Sequence, residues 1–257
     1  VLEKGRALQG RVVRLGGRLS GSVRTWLSWM GVEALEVGDG GEMVPDGTAW
    51  WTDPLQSAPE GWVSLWPNGS GDQEVLEDVC AVVVADGEWS REDCQTALAR
   101  LNPAPGEIRL VEGLRPMHRA FNAMLEQAKR PFLLQVDADM ILHPQALGML
   151  YRAAVREPWR PWVQGMLWDD LLGRIGNLKL YRMDALKGLR FRNQAGCDRD
   201  LETRVVGRSG ASVLTLPRLL GYHVATWSPG ATWTRFFRSG EKIRLFGEDP
   251  GRTWHAL

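Results

Sequence analysis

The 257-residue chain has only three cysteines, Cys80, Cys94 and Cys197. They lie far apart and are odd in number, which argues against a disulfide scaffold and predicts a reduced, cytoplasmic protein. No apolar run approaches the ~18 residues that a membrane-spanning helix needs. The longest clean one is Val79–Ala85, and no leader pattern opens the sequence. Residues 25–90 carry no Lys or Arg against thirteen acidic side chains. A net charge of +0 hides this void, because residues 91–257 hold twenty-five basic and seventeen acidic side chains. Such a surplus attracts anions, such as nucleotide diphosphates or acidic lipid surfaces, although scattered surface Arg also serves solubility alone.

What is present supports a folded core. Hydrophobic residues make up 44% of the chain, and Trp occurs thirteen times. Indole faces stack on sugar rings as well as filling cores, and most of these Trp are expected to be structural.

From about residue 78, strand and helix patterns alternate. Val79–Ala85 is continuous and β-branched, as a buried parallel strand should be. Ser90 reads as an N-cap with Asp93 completing a capping box, followed by a helical face of Cys94, Ala97, Leu98 and Leu101. Ile108–Val111 reads as the next strand, Met117 to Ala128 as the next helix, and Phe132–Val136 as the third strand. Pro144 suits the first turn of a helix running through Leu147, Leu150 and Ala154. This order predicts a mostly parallel sheet with helices on both faces and ligands at the carboxyl ends of its strands. Residues 1–75 are expected to form a small accessory α/β lobe, with strands near 11–15 and 32–37 and a helix near 23–30. The main domain then covers residues 76–257.

The third strand ends in Asp137-Ala-Asp139. On a continuous strand both side chains would share one face, with Cα atoms ~6.6 Å apart. Paired carboxylates suit a hard cation such as Mg²⁺ or Mn²⁺. Alone, an Asp-x-Asp also fits a solvated turn.

The stretch Ala120-Phe-Asn122, an apolar strand and then Asp-x-Asp resembles the core signature of GT-A glycosyltransferases, especially the inverting family 2. Phe121 stands where that family has Arg, and Arg119 can supply the charge. Val82–Asp86 is similar to the family's first strand. Gly196-Cys-Asp-Arg-Asp-Leu-Glu202 is similar to its Glu-Asp-x-Asp-Leu segment, with Cys197 in place of Glu. The alternative for that segment is a charged helix start, where acids favour the N-terminal end of the dipole.

The resemblance implies a Rossmann-like nucleotide-diphospho-sugar transferase fold and a metal-dependent inverting transfer from a nucleotide sugar, UDP-sugar first, in polysaccharide biosynthesis. It implies Asp198 as the base. Ala85, Asp86, Glu112, Arg119, Asn122 and Asp137 would contact the nucleotide sugar. Asp137, Asp139 and His223 would hold Mn²⁺ or Mg²⁺. Between the two acidic motifs, Trp168 and Asp169, flanked by Trp162 and Asp170, suit a hydroxyl-bearing acceptor, the ring stacking and the acid accepting hydrogen bonds. Nucleic acid is not among the implied partners. The basic, aromatic segment Trp233–Phe246 suits either a helix packed on the sheet or peripheral contact with the inner face of a membrane.

Two other readings remain open at this point. Leu15–Gly21 vaguely matches the Gly-rich loop of sugar-phosphate nucleotidyltransferases. The departures at Phe121 and Cys197 also fit a non-catalytic protein that binds carbohydrate or nucleotide sugar.

Overall fold

The computed structural model describes residues 74–169 and 173–224, together with four short strands nearer the N-terminus. These are β1 (Val12–Gly16), β2 (Glu33–Glu36), β3 (Ala49–Trp51) and β4 (Val63–Ser64). They form a parallel sheet in the order β2-β1-β3-β4. The two strands expected here are β1 and β2; the helix expected near 23–30 lies outside the described residues. β3 and β4 had no sequence signal, because two or three residues cannot show a period of two.

The larger sheet has seven strands: β5 (Val75–Ala85), β6 (Ala104–Glu112), β7 (Phe132–Asp137), β8 (Met140–Leu142), β9 (Trp162–Asp169), β10 (Gly173–Arg182) and β11 (Leu214–His223). Their order is β6-β5-β7-β10-β9-β11-β8. Four helices accompany them: α1 (Arg91–Ala99), α2 (Met117–Gln127), α3 (Ala146–Arg156) and α4 (Cys197–Ser209). The α/β class is the one expected. β6, β5 and β7 are parallel, as the alternation of elements requires. Beyond β7 the sheet turns mixed. β10 follows β9 after only three residues, too few for a crossover, so the two pair antiparallel, and β10 also runs antiparallel to β7.

Burial splits the side chains of each strand between two cores. Val79, Ala81, Val83, Leu134 and Val136 face one way and pack with Cys94 and Leu98 of α1 and Leu147 and Leu150 of α3. Cys80, Val82, Leu133 and Tyr181 face the other way and pack with Phe121 and Met124 of α2 and Leu201 and Val205 of α4. Leu98, Leu134 and Leu150 are fully buried; each contributes roughly 1.5–3 kcal/mol through removal of its side chain from water. The helices thus cover both faces and leave the carboxyl ends of β5, β6 and β7 at one rim. The three cysteines are buried and form no disulfide. No helix among the described residues is long and apolar enough to cross a membrane. Trp233–Phe246 lies outside the described residues.

Candidate functional site

The Asp-x-Asp does not sit on one continuous strand. β7 ends at Asp137, Ala138 and Asp139 form a turn, and β8 begins at Met140. The turn is pinned from both sides: the Ala138 amide donates to Val84 O at 2.9 Å, and Ser90 Oγ donates to Ala138 O at 3.0 Å. Ser90 therefore makes no side-chain cap on α1. Its buried hydroxyl ties the β5–α1 loop to the Asp-x-Asp instead, so the expected capping box does not form. The two carboxylates consequently diverge and meet different partners.

Asp139 meets His223. β11 pairs with β8 so that His223 lies opposite Met140, and with β9 so that it lies opposite Asp169. His223 Nε2 is 3.2 Å from Asp139 Oδ2, and His223 Nδ1 is 2.7 Å from Asp169 Oδ2. Burial alone would depress the imidazole, but the hydrogen bonds to Asp139 and Asp169 outweigh it and raise its pKa to about 9. The second oxygen of Asp139, Oδ1, is buried and has no hydrogen-bond partner among the described residues. A buried carboxylate oxygen left bare costs free energy unless something binds it.

Asp137 points to the other core. Side chains two apart on a strand share a face, and Gln135 Nε2 donates to Asp137 Oδ1 at 3.2 Å. Tyr181 on β10 donates its hydroxyl to Gln135 Oε1 at 2.9 Å. Burial, and then the negative charge of Asp139, push the Asp137 carboxyl up to about 6. A nearby cation would relieve that repulsion.

No group of three or more His, Cys, Asp or Glu side chains among the described residues forms a self-sufficient metal cage. Two carboxylates, one with a bare buried oxygen, still fit a hard cation. Mg²⁺ commonly takes one or two carboxylates and completes its shell with substrate phosphates and water. His223 touches Asp139 through Nε2, while Asp169 holds the other ring nitrogen, so the imidazole orients the Asp139 carboxylate and both of its nitrogens are engaged by acids.

Asp198 stands in the first turn of α4, after Gly196 in the left-handed conformation (φ 64°). A carboxylate there is favoured by the helix dipole. Its Oδ2 lies 3.6 Å from Lys179 Nζ. Lys179 on β10 is directly opposite Gln135 on β7, so Lys179, Tyr181, Gln135 and Asp137 share one sheet face. The charge of Lys179 also acts on Asp137. The strand register thereby brings Asp137 and Asp198 into one neighbourhood although 61 positions separate them in sequence.

The remaining expected residues fall into three groups. Ala85, Asp86 and Glu112 end β5 and β6 at the rim. Arg115 Nε bonds both Asp86 oxygens at 2.9 and 2.7 Å, and Arg91 pairs with Glu112. Arg119 is exposed in the first turn of α2. Asn122 clamps the backbone of Phe191, donating to its carbonyl and accepting from its amide at 3.0 and 2.9 Å. It ties α2 to the segment that leads into α4, a structural task rather than an open ligand contact.

Trp168 is buried and Asp169 is 0% exposed. Neither offers an open face to an acceptor, and the Asp169 carboxylate holds His223. The acceptor assignment is thus corrected: between two paired strands, an apolar-acidic Trp-Asp is drawn inward. Trp162 is also core, packed edge-on against Tyr181 with centroids 5.2 Å apart. Asp170 lies outside the described residues. Sequence reasoning missed Lys179 and Gln135, and gave Ser90 and Asp169 other roles than the ones they have. Lone polar residues in apolar strands carry no motif; only strand register shows what they face.

No family model matches the chain, and no curated protein matches it. Solved structures do. The mannosyltransferase PcManGT from Pyrobaculum calidifontis, in complex with GDP-Man and Mn²⁺, is similar at 14% identity with a TM-score of 0.48, over 67% of this chain and 66% of that one. Glucosyl-3-phosphoglycerate synthase from Mycobacterium tuberculosis, in complex with Mn²⁺ and UDP-glucose, is similar at 14% identity with a TM-score of 0.45, over 63% and 79%. A CMP:2-keto-3-deoxy-manno-octonic acid synthetase complexed with CTP is similar at 7% identity with a TM-score of 0.42, over 65% and 100%. The chain thus spans just under two thirds of the length of PcManGT.

Proposed function

We propose that this chain is a cation-dependent inverting glycosyltransferase that moves a sugar from a nucleotide-diphosphate sugar, UDP-sugar first, to a hydroxyl acceptor. The observation that carries this reading is the bare, buried Asp139 Oδ1 beside His223. It lies at the turn after β7, next to Asp137 and on the same rim as the ends of β5 and β6.

Each side chain has a task in that reaction. Asp139 and Asp137 would hold Mn²⁺ or Mg²⁺, which neutralises charge growing on the leaving nucleoside diphosphate. His223 backs Asp139, and Asp169 fixes the imidazole so that Nε2 faces the site. Asp198 takes the proton of the attacking hydroxyl as the bond from acceptor oxygen to anomeric carbon forms and the bond to the diphosphate oxygen breaks. One displacement from the face opposite the leaving group inverts the anomeric centre. Asp86 and Glu112 reach the base and ribose by exchanging their exposed Arg115 and Arg91 partners for ligand hydrogen bonds. Exposed ion pairs are weak, so that exchange is inexpensive. Arg119, exposed near the rim, suits a phosphate contact.

The nucleotidyltransferase reading has one observation in its favour: a strand, β1, precedes Gly17–Gly21. That strand belongs to the four-stranded sheet, not to the sheet that carries Asp137.

Incubation with a panel of sugar nucleotides, Mn²⁺ and simple hydroxyl acceptors tests the reading. Release of nucleoside diphosphate with an inverted product supports it. Release of pyrophosphate from a nucleoside triphosphate and a sugar phosphate replaces it with the nucleotidyltransferase. Binding without turnover across the panel leaves a non-catalytic binder. Asp198→Asn should keep donor binding and lose roughly 10²–10⁴ in transfer rate.

A further inference from the structure

A buried ammonium needs a reason. Lys179 is only 4% exposed, in the middle of β10 between buried Leu178 and Leu180. Its stem lies on the face that also carries Tyr181 and Gln135, against the core formed with α2 and α4. A Met of similar length would fill that space without the desolvation cost of a charge. The ion-pair partner of Lys179 is Asp198, at 3.6 Å, which is an ionic contact beyond hydrogen-bond distance. The cation therefore reaches the candidate base from the sheet while the base itself is carried by a helix.

We propose that Lys179 is a positioning residue for the transfer: its ammonium keeps the Asp198 carboxylate ionised and turned toward the sheet face that carries Asp137. The inference rests on the glycosyltransferase reading, in which Asp198 is the base. A general base must be unprotonated before it can act, and an opposite charge within ~4–6 Å favours the ionised form. Asp137 of β7 and Glu202 of α4 both act on the neighbouring Tyr181 with negative charge, and like charges disfavour a further ionised carboxylate. Lys179 opposes them: it is paired with Asp198 and its charge also acts on Asp137. Asp200, the next acid of α4, is already held by Arg192 and Arg204.

The test compares wild type with Lys179→Met, Lys179→Gln and Lys179→Arg. The pH profile of kcat/KM for sugar transfer is one readout. Carbon-13 NMR titration of Asp198, assigned with Asp198→Asn, is the other and needs no turnover. In Lys179→Met and Lys179→Gln the acid limb of the profile and the Asp198 titration should both move up by about one pH unit or more. Lys179→Arg should restore both, and the affinity for UDP with Mn²⁺ should stay within a few-fold of wild type. Thermal unfolding confirms that each variant folds; should Lys179→Met fail to fold, Lys179→Gln and Lys179→Arg decide the matter. An unmoved Asp198 titration overturns the inference and leaves Lys179 as packing. A loss of UDP affinity with an unmoved acid limb also overturns it and makes Lys179 a donor contact. If the Asp198 titration moves but no sugar nucleotide supports transfer, the pairing stands and the glycosyltransferase reading fails.

Discussion

His223 Nδ1 lies 2.7 Å from Oδ2 of Asp169, a carboxylate wholly removed from solvent. The contact follows from β9–β11 register, in which the two residues are direct partners. It turns the opposite ring nitrogen toward Asp139, so that one buried acid organises another through an imidazole.

Asp169→Asn tests this relationship. The amide keeps the shape but removes the charge that holds the ring. Mn²⁺ affinity in the presence of UDP should fall by about 10–100-fold, the usual loss when the outer partners that orient a metal-ligating carboxylate are disturbed. Isothermal titration measures it. Unchanged affinity in a folded variant would show that His223 does not serve the cation site.

Much of this arrangement is visible in the sequence, and the limit is physical. The continuous run Val79–Ala85, the helical face around Leu98 and the strand leading to Asp137 each follow from local periodicity, which is why the order β5-α1-β6-α2-β7 could be read. Asp137 and Asp139 stood out because two acids end an apolar strand, whereas Asp198 and His223 were implied by the family resemblance. Asp169 was noticed and given an open-surface task, since no local signal tells a buried acid from an exposed one. Lys179 and Gln135 face each other only once β10 lies antiparallel to β7. Ser90 looked like a helix cap because the Ala138 carbonyl it serves is 48 residues away.

Gly221 makes a second prediction. A Cβ there would run into Ile141 O, a backbone atom of the paired strand β8. Gly221→Ala should force β11 and β8 apart, cost about 1–3 kcal/mol and weaken Mn²⁺ binding, because that pairing sets His223 beside Asp139. Gly207→Ala, in α4 with no atom within 4 Å of the added methyl, should be neutral or stabilising by up to about 1 kcal/mol. Urea midpoints for the two variants should differ in sign or clearly in size; equal midpoints would contradict the account of β8.

The pH dependence of stability has a definite sign. Asp137 is raised from 3.8 to about 6, by burial first and the Asp139 charge second. The cation-free folded state therefore binds this proton more tightly than the unfolded chain. The associated stability is fully present below pH 3.8 and lost as pH rises through 6. With allowance for its partial exposure the loss is on the order of 1–2 kcal/mol. His223, raised from 6.5 to about 9, adds stability present below 6.5 and lost as pH rises through 9. Asp137→Asn should remove the lower step alone. Thermal midpoints of wild type and variant between pH 4 and 9, taken in EDTA, should diverge below pH 6; parallel curves would refute the perturbation at Asp137.

The central claim is that the turn after β7 holds a cation on a nucleoside diphosphate. Anomalous diffraction from crystals containing UDP and Mn²⁺ tests it most directly. The account predicts a manganese peak within coordination distance of an oxygen of Asp139 and beside the bound UDP, and loss of that peak in Asp139→Ala. A manganese ion bound to UDP away from Asp137 and Asp139, or UDP bound with full affinity by Asp139→Ala, would contradict it.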